Sequence, residues 1–237
     1  CVVVTGATAR TVVTPEAPEV SDVQLEMGVR VPRVDWDAGR ALHGRVPAFG
    51  RVVELPVRGD DGTLSFAPAL LPAAADVADD VLPHTRAALI RQAFKFLGER
   101  YGWGHSYNAR DCSGFVSEIY RSLGILLPRN TSAQAVSPAL NRIALAPDMP
   151  HAQRLQRLRE ADVGDMVFIP GHVMMVIGHV DGEPWVIHDT AGMSVRDAAG
   201  AVVRLPLNGV VITPVTPMLS GEDGFTIDRI TSIQRVR

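Results

Sequence analysis

Cys112 stands in the run Asp111-Cys112-Ser113-Gly114-Phe115-Val116, and its surroundings single it out as a chemical group. Apolar residues Phe115, Val116, Ile119, Tyr120 and Leu123 recur at helical spacing after it, Gly124 supplies a stop, and Asp111 sits where a helix begins. Cys112 therefore opens a helix. The partial positive charge of unpaired backbone N–H groups there favours thiolate over thiol and lowers a cysteine below its ordinary value of about 8.5. A thiolate so placed is a nucleophile in need of a base. A lone cysteine is more often an inert buried hydrophobe. Here the aromatic, glycine-rich approach Tyr101-Gly102-Trp103-Gly104 and the amphipathic helix beyond argue for chemistry.

Histidine is the side chain that titrates near neutral pH, and the chain has seven. His172 follows Pro170-Gly171 and leads an apolar run to Ile177 that reads as a strand. Alternation puts His172, Met174 and Val176 on one face and Met175, Ile177 and His179 on the other, so His172 and His179 cannot both face the thiol.

Further runs follow in order: Leu127-Pro128-Arg129-Asn130-Thr131-Ser132-Ala133-Gln134, then Gly164-Asp165-Met166-Val167-Phe168, Gly171-His172-Val173 and Val186-Ile187-His188. With the Tyr101 and Cys112 segments, this series resembles the NlpC-type cell-wall peptidases, a papain-like cysteine peptidase family. The resemblance runs from about residue 85 to the C-terminus. It implies Cys112 as nucleophile, His172 as base, and His188 on the next strand as the group that accepts the other imidazole N–H. It also implies an oxyanion site from the Cys112 backbone N–H and the Tyr101 hydroxyl, and Asp111 and Ser113 as holders of a free α-amine. Trp103 is a further candidate for substrate contact. His105 replaces a glycine common in the family, which bears on subsite preference. Arg110 and Arg129 are candidates for substrate carboxylates or ordinary solvated surface.

Hairpin register decides whether His188 can serve. An odd-length loop centred on Val180 places His172 and His188 opposite each other on one face, whereas a two-residue Asp181-Gly182 turn puts them on opposite faces. In the second case Asp189 is the substitute.

Residues 1–72 carry short β-patterned runs at 2–5, 11–14, 23–25, 29–34, 51–57 and 63–66, broken by Pro15, Pro18, Gly28, Gly50 and Gly62. Their order resembles a bacterial SH3-like domain, which implies a small barrel, wall-binding or structural. Residues 73–84 read as a linker, rich in Ala, Asp and Pro. In residues 85–237, Thr85 caps a helix with Leu89, Ile90, Ala93, Phe94 and Leu97 on its apolar face. A short helix capped near Thr131 or Ser132, a polar helix within 147–162, and strands from 166 onward complete the pattern. The expected fold is α+β, with papain-like helices packed on an antiparallel sheet after a small all-β barrel.

The chain has 237 residues, 46% of them hydrophobic, enough for one or two domains. A net charge of −3 argues against a nucleic-acid partner. No apolar run approaches the roughly 20 residues of a membrane span. No Cys or His pair has zinc-ligand spacing and there is no phosphate-binding Gly-Lys-Ser/Thr loop, so no metal or cofactor is expected. Cys1 reads either as the lipid-modified end of a mature lipoprotein or as the start of a fragment. The expected partner is peptidoglycan or its fragments, the expected place the cell envelope, with cytoplasmic recycling as the alternative, and the expected state a monomer. The expected reaction is hydrolysis of the γ-D-glutamyl–diamino-acid bond of stem peptides. The alternatives are a papain-like acyltransferase or amidase, and a non-catalytic wall-binding protein.

Overall fold

The computed structural model describes every residue except Ala38, Glu222, Asp223 and Arg237. The chain divides into two compact units, Cys1–Pro83 with Tyr120–Ile125, and His84–Ile119 with Leu126–Arg237.

Residues 1–83 hold seven short strands among those described: β1 (Val2–Val4), β2 (Thr8–Arg10), β3 (Gln24–Glu26), β4 (Arg30–Val31), β5 (Arg51–Arg58), β6 (Leu64–Leu71) and β7 (Val77–Ala78). They pair as small antiparallel sheets, β4-β1-β7, β2-β3 and β5-β6, rather than as the closed barrel expected. Val2, Val4, Leu25, Val53, Leu55 and Leu71 form their shared core. Residues 73–84, read as a linker, instead contribute β7, which pairs with β1 through Val3↔Ala78 and Val4↔Val77. Small residues and prolines suggested a tether, but the β-branched Val77 lies where β1 offers an edge. Residues 11–14 are not a strand; the pairing run is β2, just before them.

The second unit is helices first, then antiparallel sheets, an α+β fold. Its helices are α1 (Arg86–Phe94), α2 (Cys112–Ser122), α3 (Thr131–Ala135) and α4 (His151–Arg159). Thr85 caps α1 through its hydroxyl, which accepts from the Ala88 N–H at 3.1 Å. α3 is capped one residue earlier than the hydroxyls suggested: the Asn130 carboxamide oxygen accepts from the Ala133 N–H at 2.9 Å.

The strands are β8 (Asn141–Ala144), β9 (Met166–Ile169), β10 (His172–Val180), β11 (Glu183–Thr190), β12 (Met193–Arg196), β13 (Val202–Leu205), β14 (Gly209–Pro214), β15 (Leu219–Ser220), β16 (Gly224–Phe225) and β17 (Ser232–Arg235). The main sheet has the order β14-β11-β10-β9-β17-β8, and a second sheet runs β13-β12-β15-β16. One face of the main sheet packs Val167, Met174, Val176, Val186 and Ile233 against Leu158 of α4. Alternation sends Met166, Phe168, Val173, Met175 and Ile187 to the other face, where they too are buried. Phe96 and Phe115 meet edge to face with centroids 5.6 Å apart, and their full burial contributes about 2–3 kcal/mol each.

Gln134 ties these layers together. Its buried side-chain amide donates to the Pro128 carbonyl at 2.9 Å and to Ser117 Oγ of α2 at 2.9 Å. Its own carbonyl accepts from the Gln234 side chain of β17 at 3.1 Å. These buried hydrogen bonds hold α2 and β17 to the same residue, while Oε1 of Gln134 and of Gln234 has no partner.

Candidate active site

The start of α2 is built by Asp111. Its Oδ1 accepts from the Gly114 N–H at 2.8 Å and from Ser113 Oγ at 3.0 Å, an ordinary helix cap. Arg129 closes on the same carboxylate, with Nη2 donating to Oδ2 at 2.8 Å, Nη1 to Oδ1 at 3.2 Å, and Nη1 also to Ser113 Oγ at 2.9 Å. Burial alone would raise the Asp111 carboxyl, but the Arg129, Gly114 and Ser113 hydrogen bonds outweigh it and hold it below its usual value. Arg129 is thus a structural partner of Asp111, not merely solvated surface.

Cys112 is the first residue of α2 and is buried. The expectation of a thiolate set by the helix end fails here. Burial pushes the thiol up to about 11, and the backbone N–H groups of Val173 and Ser113, which favour the thiolate, do not offset it. Desolvation of a nearly enclosed charge exceeds what one helix terminus supplies. The Val173 N–H on the sulfur sets Cys112 against β10, one residue beyond His172.

Gly114 has no side chain for a steric reason: a Cβ there would lie 2.0 Å from Nε2 of His105, whose ring covers the helix start. His105, Tyr107 and Asn108 all have positive φ, at 63°, 60° and 57°, in the loop between Tyr101 and Arg110. The loop's ends are pinned where the Gly102 N–H donates to the Arg110 carbonyl at 2.7 Å. Trp103 on this loop is 78% exposed. Tyr101 is half-buried, and its hydroxyl is raised by burial and by the nearby Cys112, Asp111 and Asp189.

The two histidines meet. His172 Nε2 lies 2.8 Å from His188 Nδ1, and His188 Nε2 lies 3.0 Å from Thr213 Oγ1 on β14. The register behind this contact was only half foreseen. Val180 pairs with Glu183 around the two-residue turn Asp181-Gly182, the turn that should have sent the histidines to opposite faces. A bulge between Val176 and Gly178 then shifts the pairing by one, so that Val176 faces Val186 and Met175 faces Ile187. Below the bulge, His172 and His188 share a face. Gly178 allows it, with φ +149°, a conformation that L side chains rarely adopt. Asp189, one residue on, points to the opposite face, away from the His172 ring.

Burial drives both imidazoles toward neutrality, His172 down to about 4 and His188 to about 3, the latter helped by its neighbour. Thr213 was invisible in the sequence because threonine is an ordinary strand residue; only the pairing Val186↔Thr213 brings it beside His188. The histidines open onto a cleft of about 370 Å³ whose lining includes Tyr101, Thr190, Arg204 and Arg229. No carboxylate side chain lines it among the described residues.

The α+β scaffold thus carries a thiol at the start of a helix and two hydrogen-bonded histidines on neighbouring strands. Residues 98–210 match the family described as NlpC/P60, and the chain carries an NlpC/P60 family domain there. A 51-residue stretch is 45% identical to the probable endopeptidase p60 of Listeria innocua serovar 6a, covering 21% of this chain and 11% of that protein. The gamma-D-glutamyl-L-lysine dipeptidyl-peptidase of Bacillus cereus is 34% identical over 161 residues, 64% of this chain and 38% of that protein. The fold is shared with an NlpC/P60 endopeptidase from Photobacterium damselae subsp. piscicida, at TM-score 0.71 and 16% identity over 98% of this chain and 52% of that one. The chain therefore spans about half or less of each. No helix of the described residues is long and apolar enough to cross a membrane.

Proposed function

We propose that this chain is a cysteine peptidase that hydrolyses the γ-D-glutamyl–diamino-acid bond of peptidoglycan stem peptides in the cell envelope. The carrying observation is the His172–His188 hydrogen bond on the strand whose next N–H meets the Cys112 sulfur. Kinship with a protein named for γ-D-glutamyl-L-lysine cleavage supports the bond class. The arginines of the cleft suit a substrate rich in carboxylates, and a short polar cleft favours a peptide over a long apolar acyl chain.

The hydrogen-bond chain has one productive tautomer. His188 donates from Nε2–H to Thr213 Oγ1 and accepts at Nδ1 from His172 Nε2–H, which leaves the His172 Nδ1 lone pair as base. With the thiol high and the imidazole low, the proton rests on sulfur and moves as attack proceeds, rather than beforehand. Cys112 sulfur bonds to the carbonyl carbon as its proton passes to His172. The oxyanion is met by the Cys112 N–H and the Tyr101 hydroxyl. Collapse breaks the C–N bond, His172 returns the proton to the leaving amine, and water then hydrolyses the thioester with His172 again as base.

The test is L-Ala-γ-D-Glu-diaminopimelate offered with a free and with a blocked N-terminus. Release of the diamino acid by the wild type, with at least a ~10³-fold loss in Cys112→Ala and His172→Ala, is expected. No release from either peptide removes the proposal. Preference for the free amine assigns Asp111 and Ser113 to amine recognition, in competition with Arg129. Equal rates leave Asp111 as a cap alone.

A further inference from the structure

Asp189 is the buried group that this chemistry leaves unused. Its exposure is 0%, and neither carboxylate oxygen has a hydrogen-bond partner. An ionised carboxylate without donors is costly in such a place, so the orphaned oxygens point to a carboxyl that keeps its proton.

The strand pairing explains what surrounds it. Asp189 lies opposite Val210 of β14, the Val210 N–H donates to the Glu99 carbonyl at 2.9 Å, and the Tyr101 N–H donates to the Asn208 carbonyl at 3.1 Å. Residues 99–101 thus run along the free edge of β14, so close at Gly209 that a Cβ would lie 2.5 Å from the Glu99 oxygen. Within electrostatic reach of Asp189 are Glu99 and Tyr101 from that segment, Arg110 and Asp111 ahead of α2, and Cys112 at its start. The cation among them, Arg110, is engaged by Glu99 at 2.9 Å and Glu118 at 3.1 Å. Arg129 is engaged by Asp111. His188, on Asp189's own strand, faces the other way.

We propose that Asp189 is a proton-holding positioning residue that sets the alkaline limit of the Cys112 reaction. Uncharged, it leaves the sulfur free to gain negative charge during attack; once ionised, it opposes that charge and the oxyanion beside Tyr101. This rests on Cys112 as the nucleophile. Burial, with Asp111 and Glu99 adding and Arg110 opposing, raises Asp189 to about 8, so the limit falls within an ordinary pH profile. Reactivity then falls with rising pH, where a lone thiol would gain.

The experiment compares wild type and Asp189→Asn, with Asp189→Ser as a second shape, across about pH 6 to 10. The readouts are kcat/KM on the free-amine peptide, each profile normalised to its own plateau, and the rate of Cys112 alkylation by iodoacetamide. The wild type is expected to lose about tenfold in kcat/KM between pH 7 and 9.5 while both variants keep theirs, and its alkylation above pH 8 to rise less steeply than that of the variants, whose thiol gains with pH. An identical alkaline limb in all three proteins overturns the proposal, as does an infrared spectrum of the wild type at pH 6.5 without a buried protonated carboxyl that the variants lose. Alkylation needs no peptide, so failure to cleave the peptide counts against the peptidase reading alone.

Discussion

Thr213 is the quiet member of the histidine chain. Replacing it with valine leaves the buried His188 Nε2 without a partner, at a cost of about 1–3 kcal/mol, and frees His188 to take the wrong tautomer. Thr213→Val is expected to lower kcat ten- to a hundredfold with KM little changed, and Thr213→Ser to restore it, in steady-state assays. The contact between Gly114 and His105 makes a second residue-level test. Gly114→Ala forces the imidazole aside and costs about 1–3 kcal/mol, while in a His105→Ala background the same change is neutral or stabilising, since alanine favours a helix. Thermal unfolding of the four proteins in this cycle measures the coupling.

At the scale of elements, the bulge in β10 governs the site. Deleting Ile177 removes the extra residue but keeps the register of Met175 with Ile187, so His172 and His188 stay on one face. One alanine inserted between Val173 and Met174 reverses the facing of His172. Activity within about tenfold of wild type is expected for the deletion and a ~10³-fold loss for the insertion, with circular dichroism showing that both still fold.

The same elements show what the sequence could reveal. Apolar spacing and caps marked α1 and α2, and alternation marked the faces of β10, because these signals are local. Cys112, His172 and His188 were legible as a set of motifs. The bulge was not: parity counted from the Asp181-Gly182 turn predicts the wrong face, since a single extra residue leaves no mark on hydrophobic patterning. Arg129's hold on Asp111 and the raised Cys112 thiol depend on burial by distant segments, which helix-end reasoning cannot see. β7 was hidden by a composition that also suits a tether.

For the whole molecule, these buried groups shape stability against pH. His172 and His188 bind protons more weakly folded, at about 4 and about 3, than unfolded near 6.5, so the unfolded chain gains protons first and stability falls as pH drops below about 6.5. Asp189 does the reverse. Folded, it keeps its proton up to about 8, so stability falls as pH rises from about 4 to 8. Each group contributes at most about 1.4 kcal/mol per pH unit, and with two histidines against one aspartate the maximum lies near pH 6.5. A melting-temperature series from about pH 4 to 9 should peak there, and Asp189→Asn should flatten the alkaline side.

The loop that carries Trp103 has one further consequence. His105, Tyr107 and Asn108 sit in the region where an L residue is strained and its mirror image is at ease, at about 1–2 kcal/mol per residue. A semisynthetic protein with the D-enantiomer of tyrosine at position 107 should therefore melt higher than the natural one. Inverting the chirality of Phe115, on the helix a few residues on, should unfold it.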